Sequence, residues 1–151
     1  MSEAARHELP DLAAMAAFGA RLAERLKVGD VIALEGGLGA GKTTLARGII
    51  AALGYTSEVP SPTFTIIETY DAPPVRLPIV HADFYRLNDP AEVEEIGLDD
   101  YREGAAMIAE WPDHAGGFSH EAACLSILLE TAKTGRIAIA RGGGDWLGRM
   151  P

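Results

Sequence analysis

The stretch Gly36-Gly37-Leu38-Gly39-Ala40-Gly41-Lys42-Thr43 limits what this chain can become more than any other feature. It fits the spacing G-x-x-x-x-G-K-[ST], the phosphate-binding loop or P-loop. Glycines let the backbone curl so that successive N–H groups point inward at phosphate oxygens. A helix starting at Lys42 adds the positive end of its dipole to the same spot. Lys42 supplies a compact charge for β and γ phosphates, and the Thr43 hydroxyl is a hard oxygen ligand suited to magnesium. A chain of this length matches the pattern by accident on the order of once in two hundred. Chance does not also supply the flanks. Val31-Ile32-Ala33-Leu34 reads as a short buried strand, and Lys42 to Leu53 reads as a helix stopped by Gly54. The loop therefore points to a nucleoside triphosphate held with magnesium.

The rest of the chain is organised around that unit. Asp11 is placed to cap a helix running to about Leu26, with Leu12, Met15, Phe18, Leu22 and Leu26 on one apolar face. Thr56 to Pro62 carries two prolines and reads as a loop, and Thr63 to Tyr70 as a strand rich in β-branched and aromatic residues. A turn at Asp71-Ala72-Pro73-Pro74 and a strand from Leu77 to Ala82 make this an antiparallel hairpin. Asp89-Pro90-Ala91-Glu92 has the order of a helix start, and that short helix ends near Gly97. Ala105 to Ala109 is an apolar strand delivering Glu110 and Trp111 at its end, while Cys124 to Leu129 and Arg136 to Ala140 read as closing strands. Gly142-Gly143-Gly144 opens what reads as a flexible tail over residues 142–151. The pattern predicts an α/β fold, a three-layer P-loop NTPase-like domain with a mostly parallel central sheet and an antiparallel hairpin or edge strands. Residues 1–151 are expected to form one domain.

Composition excludes several classes. At 151 residues, with 48% apolar and 23% charged, the chain has the makings of a single ordinary core. It lacks any run of about 18 apolar residues, so no membrane span is expected. The opening Met1-Ser2-Glu3-Ala4-Ala5-Arg6-His7-Glu8 lacks the basic-then-apolar order of a secretory signal, and Cys124 has no second cysteine to pair with. The expected location is cytoplasmic. A net charge of −9, with Lys and Arg thinly scattered, argues against tight direct nucleic-acid binding by the free protein.

Magnesium normally has a second anchor, an acidic residue ending a strand beside the loop. Asp83 follows Leu77-Pro78-Ile79-Val80-His81-Ala82, and Glu110 follows Ala105-Ala106-Met107-Ile108-Ala109. Both are open as candidates, one for the metal and the other for its water shell or the attacking water. Guanine selection has no support, because N-K-x-D is absent and the nearest stretch is Leu87-Asn88-Asp89-Pro90. Nothing resembles the Leu-Ser-Gly-Gly-Gln signature of transporter ATPases. No segment advertises the arginine-bearing lid and acceptor pocket of a small-metabolite kinase.

Four further patches follow the loop in order. They are Val59-Pro60-Ser61-Pro62-Thr63-Phe64-Thr65, His81-Ala82-Asp83-Phe84-Tyr85-Arg86-Leu87, Glu94-Glu95-Ile96-Gly97-Leu98-Asp99 and Glu110-Trp111-Pro112. Together with Leu34 to Thr44, they make the chain resemble the bacterial TsaE family, formerly YjeE, over roughly Leu9 to Pro112. Those proteins are ATPases required for making threonylcarbamoyladenosine beside the anticodon of tRNA, acting with the TsaD and TsaB proteins. The resemblance implies that Gly39, Ala40, Gly41, Lys42, Thr43 and Thr44 hold the ATP phosphates. It implies magnesium on Thr43 and Glu110, with Asp83 near the metal and the γ-phosphate and needed for hydrolysis. Ser61-Pro62-Thr63 would be the switch that senses that phosphate, and Trp111 would lie close to the nucleotide. Adenine contacts would come from around Leu12 and from Gly135-Arg136. For His81, Arg86, Tyr85 and Trp111 the plain alternative is ordinary packing or surface pairing. One departure stands out: the family usually carries an acidic residue directly after the first loop glycine, and this chain has Gly37.

The mechanistic expectation is ATP hydrolysis used to reset a partner complex, slow in the free protein. A P-loop kinase passing the phosphoryl group to an acceptor hydroxyl, and a nucleotide-dependent scaffold that does not hydrolyse, are the competing readings.

Overall fold

The computed structural model of the chain describes residues 4–60 and 66–151. The fold is α/β, built on one seven-stranded mixed sheet. In chain order the elements are β1 (Ala4–Leu9), α1 (Leu12–Arg25), β2 (Val31–Glu35), α2 (Lys42–Ala52), β3 (Ile67–Tyr70), β4 (Ile79–Asp83), α3 (Glu92–Ile96), α4 (Leu98–Arg102), β5 (Ala106–Glu110), β6 (Cys124–Thr131) and β7 (Arg136–Gly142). Across the sheet the strands run β1-β7-β6-β2-β5-β4-β3. The centre, β6-β2-β5-β4, is parallel throughout. Antiparallel pairing is confined to the two sides, β3 on β4 and β6-β7-β1. The hairpin and edge strands are thus as the sequence predicts. The pairings divide evenly between the two senses, so parallel character belongs to the middle of the sheet.

Strand alternation divides the core in two. One face buries Ile32, Leu34, Ile79, Ile108, Leu125 and Ile127 beneath α1 and α2. Asp11 caps α1 by accepting from the Ala14 amide at 2.8 Å, and the helix then commits Met15, Phe18 and Leu22 to the interior. Burying each of these large apolar side chains stabilises by about 1.5–3 kcal/mol. The other face, with Val31, Ala33, Val80, Ala82 and Met107, is covered by Phe84, Leu87, Leu98 and Phe118. That covering layer is thin. α3 buries none of its residues and α4 buries Leu98.

Several local expectations shift. β1 has no counterpart in the sequence reading. Its Ala-Ala-Arg-His-Glu-Leu carries little apolar signal, and it is a strand because β7 pairs with it from Ala4↔Arg141 to Leu9↔Arg136. The helix start at Asp89-Pro90-Ala91-Glu92 is built as a reciprocal cap. Asp89 accepts from the Ala91 amide at 2.9 Å, and Glu92 accepts from the amides of Asn88 and Asp89, both at 3.1 Å. Regular helix begins only at Glu92. The strand expected from Thr63 is described only over Ile67–Tyr70, and residues 61–65 lie outside the described residues.

The tail is the clearest correction. Far from being a free end, residues 142–151 fold back on the domain. Gly142 belongs to β7, and the Gly143 amide donates to the Cys124 carbonyl at 2.8 Å. Trp146 is fully buried, its indole N–H donating to the Ala123 carbonyl at 2.7 Å. Arg149 grips buried Asp30 through both carboxylate oxygens, at 2.8 and 2.9 Å. The glycines that suggested flexibility serve close approach. A Cβ on Gly142 would sit 2.7 Å from the Trp146 Cβ, and one on Gly143 would sit 2.5 Å from the Ala122 carbonyl oxygen.

Candidate functional site

The sheet topology puts the candidate residues at one end. β2, β5 and β4 are parallel neighbours, so the loop after β2 emerges beside the last residues of the other two. Register pairs Glu110 with Leu34 on one side and with Asp83 on the other. This is the carboxyl edge of a parallel sheet, where such folds place ligands. A cavity of about 550 Å³ opens there, within the range that holds small ligands. It is lined by Leu12, Gly39, Gly41, Lys42, Thr43, Thr44, Asp83, Glu110, Trp111, Gly135 and Arg136 from the sequence-based set. Ala40 alone among the described nucleotide and metal candidates stays behind the wall. It is buried, and its carbonyl accepts from the Arg136 guanidinium at 3.0 Å.

The loop is wrapped around its own lysine. The Lys42 ammonium donates to the carbonyls of Gly36 at 2.8 Å and Gly37 at 2.7 Å, and lies 4.2 Å from the centre of the Trp111 ring. Burial pushes its pKa down, while Glu110 and Asp83 pull it back up. Gly36, at φ 139°, permits this curl. A Cβ there would sit 2.5 Å from the Leu129 carbonyl oxygen. α2 then begins at Lys42 behind Gly41, with no side chain among the described residues capping its first turn.

Opposite the loop stands an acidic wall. The Thr43 hydroxyl donates to Oε1 of Glu110 at 2.7 Å, and Oε2 of Glu110 lies 2.7 Å from Nε2 of His81. Asp83, one strand further out, accepts from the Tyr85 amide at 3.0 Å. Burial above all, and then neighbouring Glu110, pushes the Asp83 carboxyl up. The Tyr85 amide, His81 and Lys42 oppose that shift. Of the two carboxylates left open by the sequence, Glu110 reaches the Thr43 hydroxyl because β5 adjoins β2 and β4 does not.

Trp111 occupies the left-handed region at φ 55°, which is strained for a non-glycine residue. That turn swings its ring against Tyr85, with centroids 5.0 Å apart, and over Lys42. At the far end of the cavity Arg136 donates to the carbonyls of Gly39 at 3.1 Å and Ala40 at 3.0 Å, so its guanidinium braces the loop. The sequence reading missed Leu9, Asp11, Met15 and Leu38 as cavity residues, and left Tyr85 open between ligand contact and packing. It gave His81 no role of its own and an ordinary strand position as the plain alternative, although its i, i+2 spacing to Asp83 on a strand was a signal that both share a face. Ser61-Pro62-Thr63 lies outside the described residues.

The family model for threonylcarbamoyl adenosine biosynthesis protein TsaE matches residues 9–138. A Synechocystis protein named tRNA threonylcarbamoyladenosine biosynthesis protein TsaE is 43% identical over 110 residues, covering 70% of this chain and 68% of its own. A Haemophilus influenzae protein of that name is 38% identical over 120 residues, covering 76% and 75%. A Bacillus subtilis namesake is 50% identical over 86 residues, a match spanning about half of its length. The crystal structure of Bacillus subtilis YdiB superposes with a TM-score of 0.76 at 29% identity, over 99% of this chain and 91% of that one. The match over residues 9–138 takes in the loop, the acidic wall and the strands that join them, and on it the chain belongs to the TsaE family.

Proposed function

We propose that this chain is a magnesium-dependent P-loop ATPase that serves threonylcarbamoyladenosine formation on tRNA, acting with the TsaD and TsaB proteins. One observation carries the reading. A lysine held in a glycine loop and a threonine hydroxyl bonded to a buried carboxylate meet at a single cavity. The relatives' names support the pathway.

The residues present fit ATP and magnesium. Thr43, Glu110 and Asp83 are all hard-oxygen donors, the set that magnesium prefers. A buried, upward-shifted Asp83 beside Glu110 also leaves negative charge that a cation would relieve. Magnesium, when bound, supplies charge neutralisation on the phosphate oxygens. Lys42 would turn from its own loop carbonyls to those oxygens, and the loop amides would hold the rest of the triphosphate. Thr43 and Glu110 would hold the metal, and Asp83 would orient the attacking water. Trp111 and Tyr85 would close the side above Lys42 against bulk water. The apolar end formed by Leu12 and Met15, with the backbone at Gly135, suits a purine base. The net charge of −9 supports a subunit that leaves the grip on tRNA to its partners.

The test is phosphate release from Mg-ATP by the protein alone and with TsaD and TsaB. Formation of modified tRNA is followed in parallel. Slow release alone, stimulation by the partners and loss of both activities without magnesium are expected. Label passing from ATP to a metabolite or protein with little free phosphate would overturn hydrolysis in favour of kinase chemistry.

A further inference from the structure

His81 has no job in the reading above, yet it is fully buried at the centre of the site. Alternation along β4 puts it on the α2 side of the sheet with Ile79 and Asp83, and along β5 puts Glu110 there with Ile108. Its Nε2 lies 2.7 Å from Oε2 of Glu110, while Oε1 of the same carboxylate accepts from Thr43 at 2.7 Å. Its other nitrogen, Nδ1, is buried and finds no hydrogen-bond partner among the described residues.

Those facts select a tautomer. With the proton on Nε2, the ring donates to the carboxylate and Nδ1 keeps only an unshared lone pair. With a proton on Nδ1, a buried N–H would be left without an acceptor among the described residues, the costlier and rarer orphan. A carboxylate has freedom to swing about its last torsion, which is broad rather than staggered. A donor fixed on one oxygen removes that freedom. We propose that His81 is the positioning residue of the metal-binding carboxylate: its Nε2–H holds Oε2 of Glu110 so that Oε1 stays beside the Thr43 hydroxyl, presenting the pair as a ready-made seat for a divalent cation bound with nucleotide. The inference rests on the proposed ATPase reading. Partners of this kind, acting through a ligand without touching the metal, typically change metal affinity by about 10–100-fold when removed.

The experiment measures Mn²⁺ as the magnetic probe, by electron paramagnetic resonance, in the presence of a non-hydrolysable ATP analogue. Calorimetry with the analogue in chelator measures metal-free nucleotide affinity. His81→Leu should weaken Mn²⁺ by about 10–100-fold and leave the metal-free affinity within about twofold. His81→Gln, whose amide nitrogen can stand where Nε2 stands, should restore most of the loss. Nitrogen-15 NMR of the unmutated protein should show a protonated Nε2 and a bare Nδ1, a measurement that holds whether or not the leucine variant folds. Unchanged Mn²⁺ affinity in His81→Leu, no rescue by His81→Gln, or a proton on Nδ1 overturns the positioning role alone. Absence of Mn²⁺–nucleotide uptake by the unmutated protein overturns the ATPase reading itself, and His81's role with it.

Discussion

The glycine-rich loop and the acidic wall face each other across one cavity, yet they are built in opposite ways. The loop is a contiguous run from Gly36 to Thr43, and its shape follows from where its glycines stand. The wall draws on two strands, with His81 and Glu110 29 residues apart in the chain. Only the parallel pairing Asp83↔Glu110 brings those strands into line. A one-residue slip there would turn the carboxylates to the opposite face, whereas the loop would keep its form. Their electrostatics also differ. The loop contains its charge by donating Lys42 to its own carbonyls, while in the wall burial and the neighbouring Glu110 disfavour charge on Asp83. Motifs that are local in sequence are robust to register, and sites assembled across strands are sensitive to it.

Three substitutions probe that contrast. Lys42→Ala should have the largest effect, lowering kcat/KM for phosphate release by about 10²–10³-fold, the scale of losing one well-placed charge stabiliser. Retained turnover would mean that the wall, and not the loop, holds the triphosphate. Gly36→Ala comes next. Its left-handed φ and the clash with the Leu129 carbonyl should cost about 1–3 kcal/mol in denaturant unfolding, showing how much of the loop depends on that residue. An unchanged midpoint would show that the curl does not need a glycine there.

Asp83→Asn should have the smallest effect on stability, and in the opposite direction. A carboxyl raised above its ordinary 3.8 binds its proton more tightly in the folded chain than in the unfolded one. Its contribution is therefore full below 3.8 and drains away as pH rises through the raised value, leaving an ionised buried group as a net cost at neutral pH. The neutral amide should raise stability at pH 7 by on the order of 1 kcal/mol, about 2–4 °C in Tm, while phosphate release is lost. The gain over the unmutated protein should vanish in melts run below pH 3.8. A destabilised variant at pH 7 would show that the wall is held together by its charge.

Much of the site was legible before any fold was known. The loop, the helix behind it, and Asp83 and Glu110 at strand ends all stand where the sequence placed them. Motif and spacing left the choice between the two carboxylates open, because it depends on which strand lies next to β2, and only the family resemblance pointed to Glu110. The bracing of the loop by Arg136, which reaches the Gly39 and Ala40 carbonyls from 97 and 96 residues away, was not legible. The tail was misread for a related reason. Three glycines in a row look the same whether they confer freedom or clear space for Trp146, and only the packing distinguishes the two.

From its sequence alone this protein determines its α/β class, its central strand–loop–helix unit and the residue types of the glycine-rich loop. Those depend on periodicity and on φ angles, which neighbouring residues set. The tertiary structure decided that β1 is a strand, that the last residues are anchored by Arg149 on Asp30, and that His81, Glu110 and Thr43 form one chain of hydrogen bonds. Such pairings join residues distant in the chain, and their partners are chosen by strand order and register, quantities that no local stretch of sequence contains.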